Sequence, residues 1–388
     1  MRFISPILKR LVYPALYMSR QLRPRPRSGQ LSILTYHGLR PAGYVSQDSN
    51  LDGTLVTADA FRAQLRLLKN RYHVISPETL LARLRNQEPL PPLSVLLTCD
   101  DGLQNTVTDM LPILLEEGLR CLFFVTGAST EQSRSMLWYD DMYLLFLAAP
   151  RGPFKIFSQG IALEGNLGSP VHRHDLWWET VKRLSAVGAE KRESFVRALR
   201  TLFTQSGRQN FDEHEPASCR RFGLLIAPEL KQLAAAGMTI GAHTVHHPLL
   251  SHTPPDLAYA EIRESKLKLE SMLQREVWAF AYPFGGPDIN DQILEMPRRA
   301  GFEAAFLNFG AGMGTKLPAR ALPRVHISAD MTLAEFEAHL SGFHGRLQRL
   351  WRPQCQEPGN EAATILQITE VSATDPRLID APSHSQPA

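Results

Sequence analysis

Short apolar runs recur along the chain, each closed within a few positions by Gly, Pro, Asp or His. In the first third they are Leu31-Ser-Ile-Leu-Thr-Tyr36, Tyr72-His-Val-Ile75, Ser94-Val-Leu-Leu-Thr-Cys99 and Cys121-Leu-Phe-Phe-Val125. Their length and their unbroken apolar character predict buried strands. Between them the period changes to that of helices. Thr57 is placed to cap a helix carrying Phe61, Leu65 and Leu68 on one face. Ser76-Pro77-Glu78 opens another with Pro in its first turn, and a third covers about 108–117 and stops at Gly118. Strands alternating with helices of this length predict βα units and a parallel sheet or barrel.

The alternation lapses over 129–221, where Trp138, Trp177 and Trp178 are scattered through a Gly/Pro-punctuated stretch that leads to a basic helical run near 182–203. This segment reads as a mostly helical insertion carried on a βα loop, the place where barrel enzymes put specificity. The alternation resumes with a helix over 228–236, strands at Met238-Thr-Ile240 and Val277–Ala281, a long helix over 256–273, a helix near 290–300, strands at Ala304–Leu307 and Arg324–Ile327, and a last helix from Leu333 to Leu347. The expected plan is a core of 29–128 and 222–348, split by the insertion. Residues 352–388, poor in apolar side chains, are expected to be a disordered tail.

Composition adds little, with 44% hydrophobic and 21% charged residues and a net charge of +3. The placement of charge says more. Residues 1–27 hold seven Lys and Arg and no acid, interleaved with Ile4, Ile7, Leu8, Leu11 and Leu16. Lys9 and Arg10 interrupt the apolar run, which is too short and polar to span a bilayer; as a basic amphipathic arm over 1–28 it suits an anionic membrane surface, or else lies solvated. Elsewhere basic residues are interspersed with acids, so nucleic acid is not an expected partner. Cys99, Cys121, Cys219 and Cys355 lack the spacing of a disulfide framework or metal knuckle. With no cleavable leader in view either, a cytoplasmic protein, at most peripheral to the inner membrane, is expected.

Two places carry chemistry. Asp100 and Asp101 sit side by side where a buried strand should end, and carboxylates are buried only with a cation, donors or a shared proton. Gly241-Ala-His-Thr-Val-His-His-Pro248 follows another strand and supplies imidazoles. An Asp/His/His set leaves coordination positions open, and the second Asp is left as a base. Which histidine pairs with His243 stays open on spacing alone, since His246 and His247 could each share a helical face with it.

Thr98-Cys-Asp-Asp-Gly102, His243-Thr-x-x-His247-Pro248 and Phe280-Ala-Tyr-Pro-Phe-Gly285 stand in the order of the polysaccharide deacetylase motifs. The chain thus resembles that family, the NodB-homology group or carbohydrate esterase family 4, over roughly 30–130 and 220–345. The resemblance implies a distorted (β/α) barrel. It implies that Asp101, His243 and His247 hold a divalent metal, expected to be zinc, and that Asp100 is the general base. It places His246 outside the ligand set and Thr244 behind the ligands. Tyr282 and Gly285 would line the substrate groove, with the amide at Tyr282 helping to hold the oxyanion. Phe280 stands where many members have an Arg, and Arg324 is the candidate to contact Asp100 instead, or else forms an ordinary salt bridge. The family's general acid has no clean match: His326 is on the expected strand, His37 is the other candidate, and both also suit a substrate-binding role. Cys99 replaces the usual Phe and is expected to be buried and inert.

The activity implied is removal of N-acetyl groups from an amino sugar in a glycan or in a lipid- or nucleotide-linked precursor. Two other classes are kept: a glycosidase built on Asp100 and Asp101, and a glycan-binding or scaffold protein with a degenerate site.

Overall fold

A computed structural model describes residues 7–344 apart from 25, 27–29, 47, 132–133, 205–214, 287 and 310–317. The expected tail and Cys355 lie outside the described residues.

Eight parallel strands among the described residues form one curled sheet: β1 (Leu31–Tyr36), β2 (His73–Ile75), β3 (Ser94–Cys99), β4 (Leu122–Val125), β7 (Thr239–Ala242), β8 (Ala279–Ala281), β9 (Ala304–Phe306) and β10 (Val325–His326). Their order is β10-β1-β3-β4-β7-β8-β9, with β2 beside the start of β3. Every residue of β1, β3 and β4 is buried, as expected of strands covered on both faces. The segment entering β10 bridges Leu322 to Phe306 and so draws the two edges of the sheet together. The result is the distorted (β/α) barrel that the motifs led one to expect.

Helices cover its outer surface, with caps where the sequence placed them: Thr57 and Ser76 accept from the amides of Ala60 and Thr79. The core beneath them runs from Leu34 and Phe61 through Leu97, Phe123 and Ile240 to Phe280 and Phe336.

Residues between β4 and β7 build a cap with its own core. It comprises the helix Trp138–Ala148, the hairpin β5 (Pro153–Ser158) and β6 (Ile161–Asn166), and the helices Pro170–Ser185, Ala189–Thr204 and Pro216–Phe222. Met142, Phe146, Val181, Leu184, Phe195 and Leu199 pack together there with Leu103 of the barrel. Arg173 is buried in the cap and donates to the carbonyls of Phe146, Leu147, Ala149 and Leu167, closing the helix end at Ala148.

The basic N-terminal segment is ordered over Leu8–Met18 as helical turns laid against the helix Leu333–Leu340. Tyr13 is buried there, and Lys9 is 2.9 Å from Asp330 and 3.3 Å from Glu335. Ile7, Leu11 and Met18 stay exposed at 55%, 67% and 76%. No helix among the described residues is long and apolar enough to cross a membrane.

Candidate metal centre

β3 ends at Cys99, and Asp100 still follows the ladder, its amide donating to the Tyr36 carbonyl at 2.9 Å. Asp101 then adopts φ 74° and Gly102 φ 75°. This left-handed turn is uncommon for Asp and natural for Gly. It removes the alternation that would have pointed the two carboxylates to opposite sides, so both line one cavity of about 180 Å³.

The histidines come from a loop, not a helix. After β7 the chain runs through Thr244 (φ 60°) to His247 (φ 55°), two further left-handed residues. The helical pairing of His243 with either neighbour therefore does not apply. Thr244 Oγ1 accepts the His247 amide at 3.0 Å and fixes the turn. His243 Nδ1 lies 2.8 Å from the Ala281 carbonyl; a carbonyl only accepts, so Nδ1 carries the proton and Nε2 offers a lone pair. That Nε2 is 3.1 Å from His247 Nε2, and Asp101 Oδ1 is 3.6 and 3.3 Å from the two. All three residues are buried. So many acceptors around one point fit a divalent cation, and among the described residues this is the cluster that does so. Among the described residues His247 Nδ1 has no hydrogen-bond partner, and its ring packs against Tyr139 and Phe284, with centroids 5.0 and 4.8 Å away.

His246 turns away. Its Nδ1 is 2.8 Å from Glu261, whose other oxygen accepts the amides of Val245 and His246.

Asp100 is held separately. Arg324, fully buried, reaches across from the approach to β10 and donates through both terminal nitrogens to the carboxylate, at 2.7 and 2.6 Å. Its remaining donors go to Thr98 Oγ1 and the Leu307 carbonyl. Burial pushes the Asp100 carboxyl up, but Arg324 and then His243 outweigh it and hold the group below the ordinary carboxylate range. Burial likewise opposes ionisation of Asp101, and the adjacent His243 and His247 bring it well below that range. Burial lowers His247 as well.

The remaining expected residues divide. His37 and His326 both line the cavity, with ring centroids 5.1 Å apart. Burial, with His37 adding to it, lowers His326 to about 4, so its imidazole is neutral at physiological pH. Tyr282 requires correction. Its amide is taken by the Phe306 carbonyl at 3.0 Å, and its buried hydroxyl donates to the carbonyls of Arg320 and Leu294. It serves the barrel wall, not the oxyanion. Gly285 does not line the cavity either; it lets the turn press on Asn308, whose amide nitrogen would be 2.6 Å from an added Cβ. Within this turn, Phe284 (φ 57°) reaches the site.

Cys99 is buried, which raises its thiol well above the usual value and leaves it unreactive.

Several lining residues were not anticipated. Tyr139, Asp140, Tyr143 and Trp177 come from the cap, and Arg221 from its last helix. Trp177 Nε1 donates to the Tyr139 carbonyl at 2.8 Å. Arg221 donates to Asp52 at 2.6 Å, to Asp140 at 3.4 Å and to the Leu51 carbonyl. Burial raises Asp140 to about 6 against the pull of Arg221. The sequence signal was a pair of acids inside the apolar run Trp138-Tyr-Asp-Asp-Met-Tyr-Leu-Leu-Phe146, with no partner nearby to explain them.

Comparison with known proteins bears on the fold and on part of the sequence. A family model for polysaccharide deacetylase matches residues 198–305, which include the histidine loop and the Tyr282–Gly285 turn but not the Asp pair. A Bacillus subtilis (strain 168) protein, YxkH, provisionally described as a polysaccharide deacetylase, is 24% identical over 116 residues, or 30% of this chain and 41% of that protein. The chain thus matches less than half the length of that curated relative. Among solved structures, the Streptococcus pyogenes deacetylase PplD in complex with acetate superposes with a TM-score of 0.51 at 19% identity, over 81% of this chain and 99% of that one. IcaB from Ammonifex degensii superposes with a TM-score of 0.50 at 16% identity, over 81% and 97%. At these identities the two structures carry the fold.

Proposed function

We propose that this chain, which resembles the polysaccharide deacetylases in its motifs and its fold, is a metal-dependent hydrolase that removes N-acetyl groups from an amino sugar in a glycan or glycan precursor. The observation that carries the reading is the division of labour between neighbours: Asp101 faces His243 and His247, while Asp100, beside it, is gripped by Arg324. Asp101, His243 and His247 would hold the cation, with zinc the expected one. A divalent cation bound there supplies Lewis acidity toward an amide carbonyl and lowers the pKa of water.

The chain's own residues do the rest. Asp100 stays ionised and takes the proton of the attacking water, while Arg324 fixes its orientation and charge. The water oxygen bonds to the acetyl carbon, the carbon–nitrogen bond breaks, and acetate and an amine result. His326 is neutral, so it holds substrate by hydrogen bonding, and the proton taken up by Asp100 is the one returned to the leaving nitrogen. Tyr139, Tyr143 and Trp177 give the cavity an aromatic wall against which a sugar ring can lie. The deacetylase from S. pyogenes binds acetate, the product this chemistry releases.

The glycosidase reading loses its support. A glycosidase needs one carboxyl of the pair raised to act as an acid. Here Asp100 and Asp101 are both lowered, and they approach the same His243 Nε2, at 4.0 and 3.6 Å.

A cytoplasmic protein would meet its glycan as a precursor at the membrane. Ile7, Leu11 and Met18, spaced by four and seven residues, share one outward helical face beside the exposed Arg10 and Arg20. This face would rest on anionic lipid. Sedimentation with phosphatidylglycerol vesicles should retain the wild-type chain and release a variant with Ile7, Leu11 and Met18 changed to Ser; equal retention of both would remove the membrane role.

The activity is tested by acetate release from N-acetylglucosamine oligomers and lipid-linked N-acetylated precursors, with metal stripped and then restored. Metal-dependent acetate without shorter sugars is the expected result. Shorter sugars insensitive to chelator would return the glycosidase, and glycan binding without acetate would leave a binding protein.

A further inference from the structure

A second cavity, of about 490 Å³, lies between the cap and the barrel on the other side of the histidine loop. Neighbouring residues divide between the two spaces: His246 and Trp138 line this one, His247 and Tyr139 the metal cavity. Arg192, on the helix Ala189–Thr204, lines it while only 2% exposed, its guanidinium 5.0 Å from the centre of the Trp138 ring.

Four arginines are buried among the described residues, and three of them make three or four hydrogen bonds each. Arg173 donates to main-chain carbonyls, Arg221 to Asp52, Asp140 and Leu51, and Arg324 to Asp100, Thr98 and Leu307. The Arg192 guanidinium makes no hydrogen bond or ion pair with any described residue, and ring stacking is its one side-chain contact of note. The acids that act on it, Glu261 and Glu193, do so only from a distance, and Glu261 is committed to His246 and the loop amides. The five N–H donors of Arg192 have no acceptor among the described residues, and an anion in the cavity would supply one. At the rim, Arg197 is exposed and makes no ion pair with a described residue, while Arg200 is bound to Asp141 and Lys268 stands 3.7 Å from Glu131.

We propose that this cavity is an oxyanion-binding site, in which the planar fork of Arg192 receives a carboxylate or phosphate group and Arg197 supplies a second positive charge at the mouth. The guanidinium lies over the Trp138 ring, and arginine binds such groups through two parallel hydrogen bonds. The anion arrives either free or carried on a sugar, as a sugar acid or sugar phosphate. The proposal does not depend on deacetylation.

The test is calorimetric titration of the full, metal-stripped chain with inorganic phosphate, acetate, glucose 1-phosphate and glucuronate. At least one should bind. Arg192→Met should weaken it roughly tenfold or more, Arg192→Lys less, and Arg197→Gln several-fold. Arg197→Gln touches no buried contact and so reports even if Arg192→Met does not fold. His247→Ala should bind as the wild type does. Tighter binding of the sugar-borne anion would identify a sugar as carrier; equal binding would identify the free ion. No binding by any probe, titrations unchanged in Arg192→Met and Arg197→Gln, or binding abolished by His247→Ala would overturn the proposal.

Discussion

Asp100 and Asp101 are adjacent and chemically alike, and backbone conformation alone gives them different partners. Asp100 keeps the strand's ladder and meets Arg324; Asp101, at φ 74°, swings to the histidines. Asp100→Asn should therefore lower kcat roughly 10²–10⁴-fold, the usual worth of a general base, with metal content unchanged. Arg324→Met should leave a buried carboxylate without its cation and cost about 3–5 kcal/mol in urea unfolding. A loss below about 1 kcal/mol would show that the pair is not the anchor described. Asp140 gives a pH signature. Its folded value of about 6 lies above the ordinary aspartate value, so the unfolded state ionises first. The sign follows: native stability is favoured at low pH and falls as pH rises from about 4 to about 6, by up to about 3 kcal/mol. The difference between the unfolding free energies of the wild type and Asp140→Asn should show this fall across that interval; no change in the difference would remove it.

At the scale of elements, the apolar runs located the sheet because strands of a parallel barrel are buried on both faces and need no alternation. The ends of those strands were legible too, since buried carboxylates and imidazoles have few other reasons to follow such runs. What was not legible is conformation at the strand ends. The left-handed residues Asp101, Thr244, His247 and Phe284 are set by tertiary packing, and nothing in their side chains announces them. The same gap put Tyr282 in the groove, where its spacing in the motif pointed, although the ladder with Phe306 consumes its amide. The stretch 129–221 reads as an insertion at a place where barrel enzymes put specificity, but which of its residues reach the site was not legible, because Asp140 and Arg221 are far apart in the chain and meet only in the fold. Trp177→Ala removes part of the aromatic wall and the bond to the Tyr139 carbonyl. It should reduce kcat/KM for oligosaccharides roughly tenfold while leaving zinc content unchanged, measured by steady-state kinetics beside metal analysis.

At the scale of the whole molecule, chain order and spatial order diverge. Asp100 and Asp101 come from the first third of the chain, His243 and His247 from beyond its middle, and Arg324, which grips Asp100, from nearer its end. Only closure of the sheet, with β10 beside β1, brings Arg324 to Asp100. A barrel that failed to close at β10 would lose the orientation of Asp100 and keep the Asp101, His243 and His247 cluster, which is carried on β3 and β7 with Ala281 of β8 holding His243. The central claim is that these two functions are separable, and the most direct measurement is zinc stoichiometry and acetate release recorded together for the wild type, Asp100→Asn and His247→Ala. One zinc with metal-dependent acetate release is expected in the wild type, zinc without activity in Asp100→Asn, and loss of both in His247→Ala. Full activity in Asp100→Asn, or a wild-type chain that takes up no divalent metal, would contradict it.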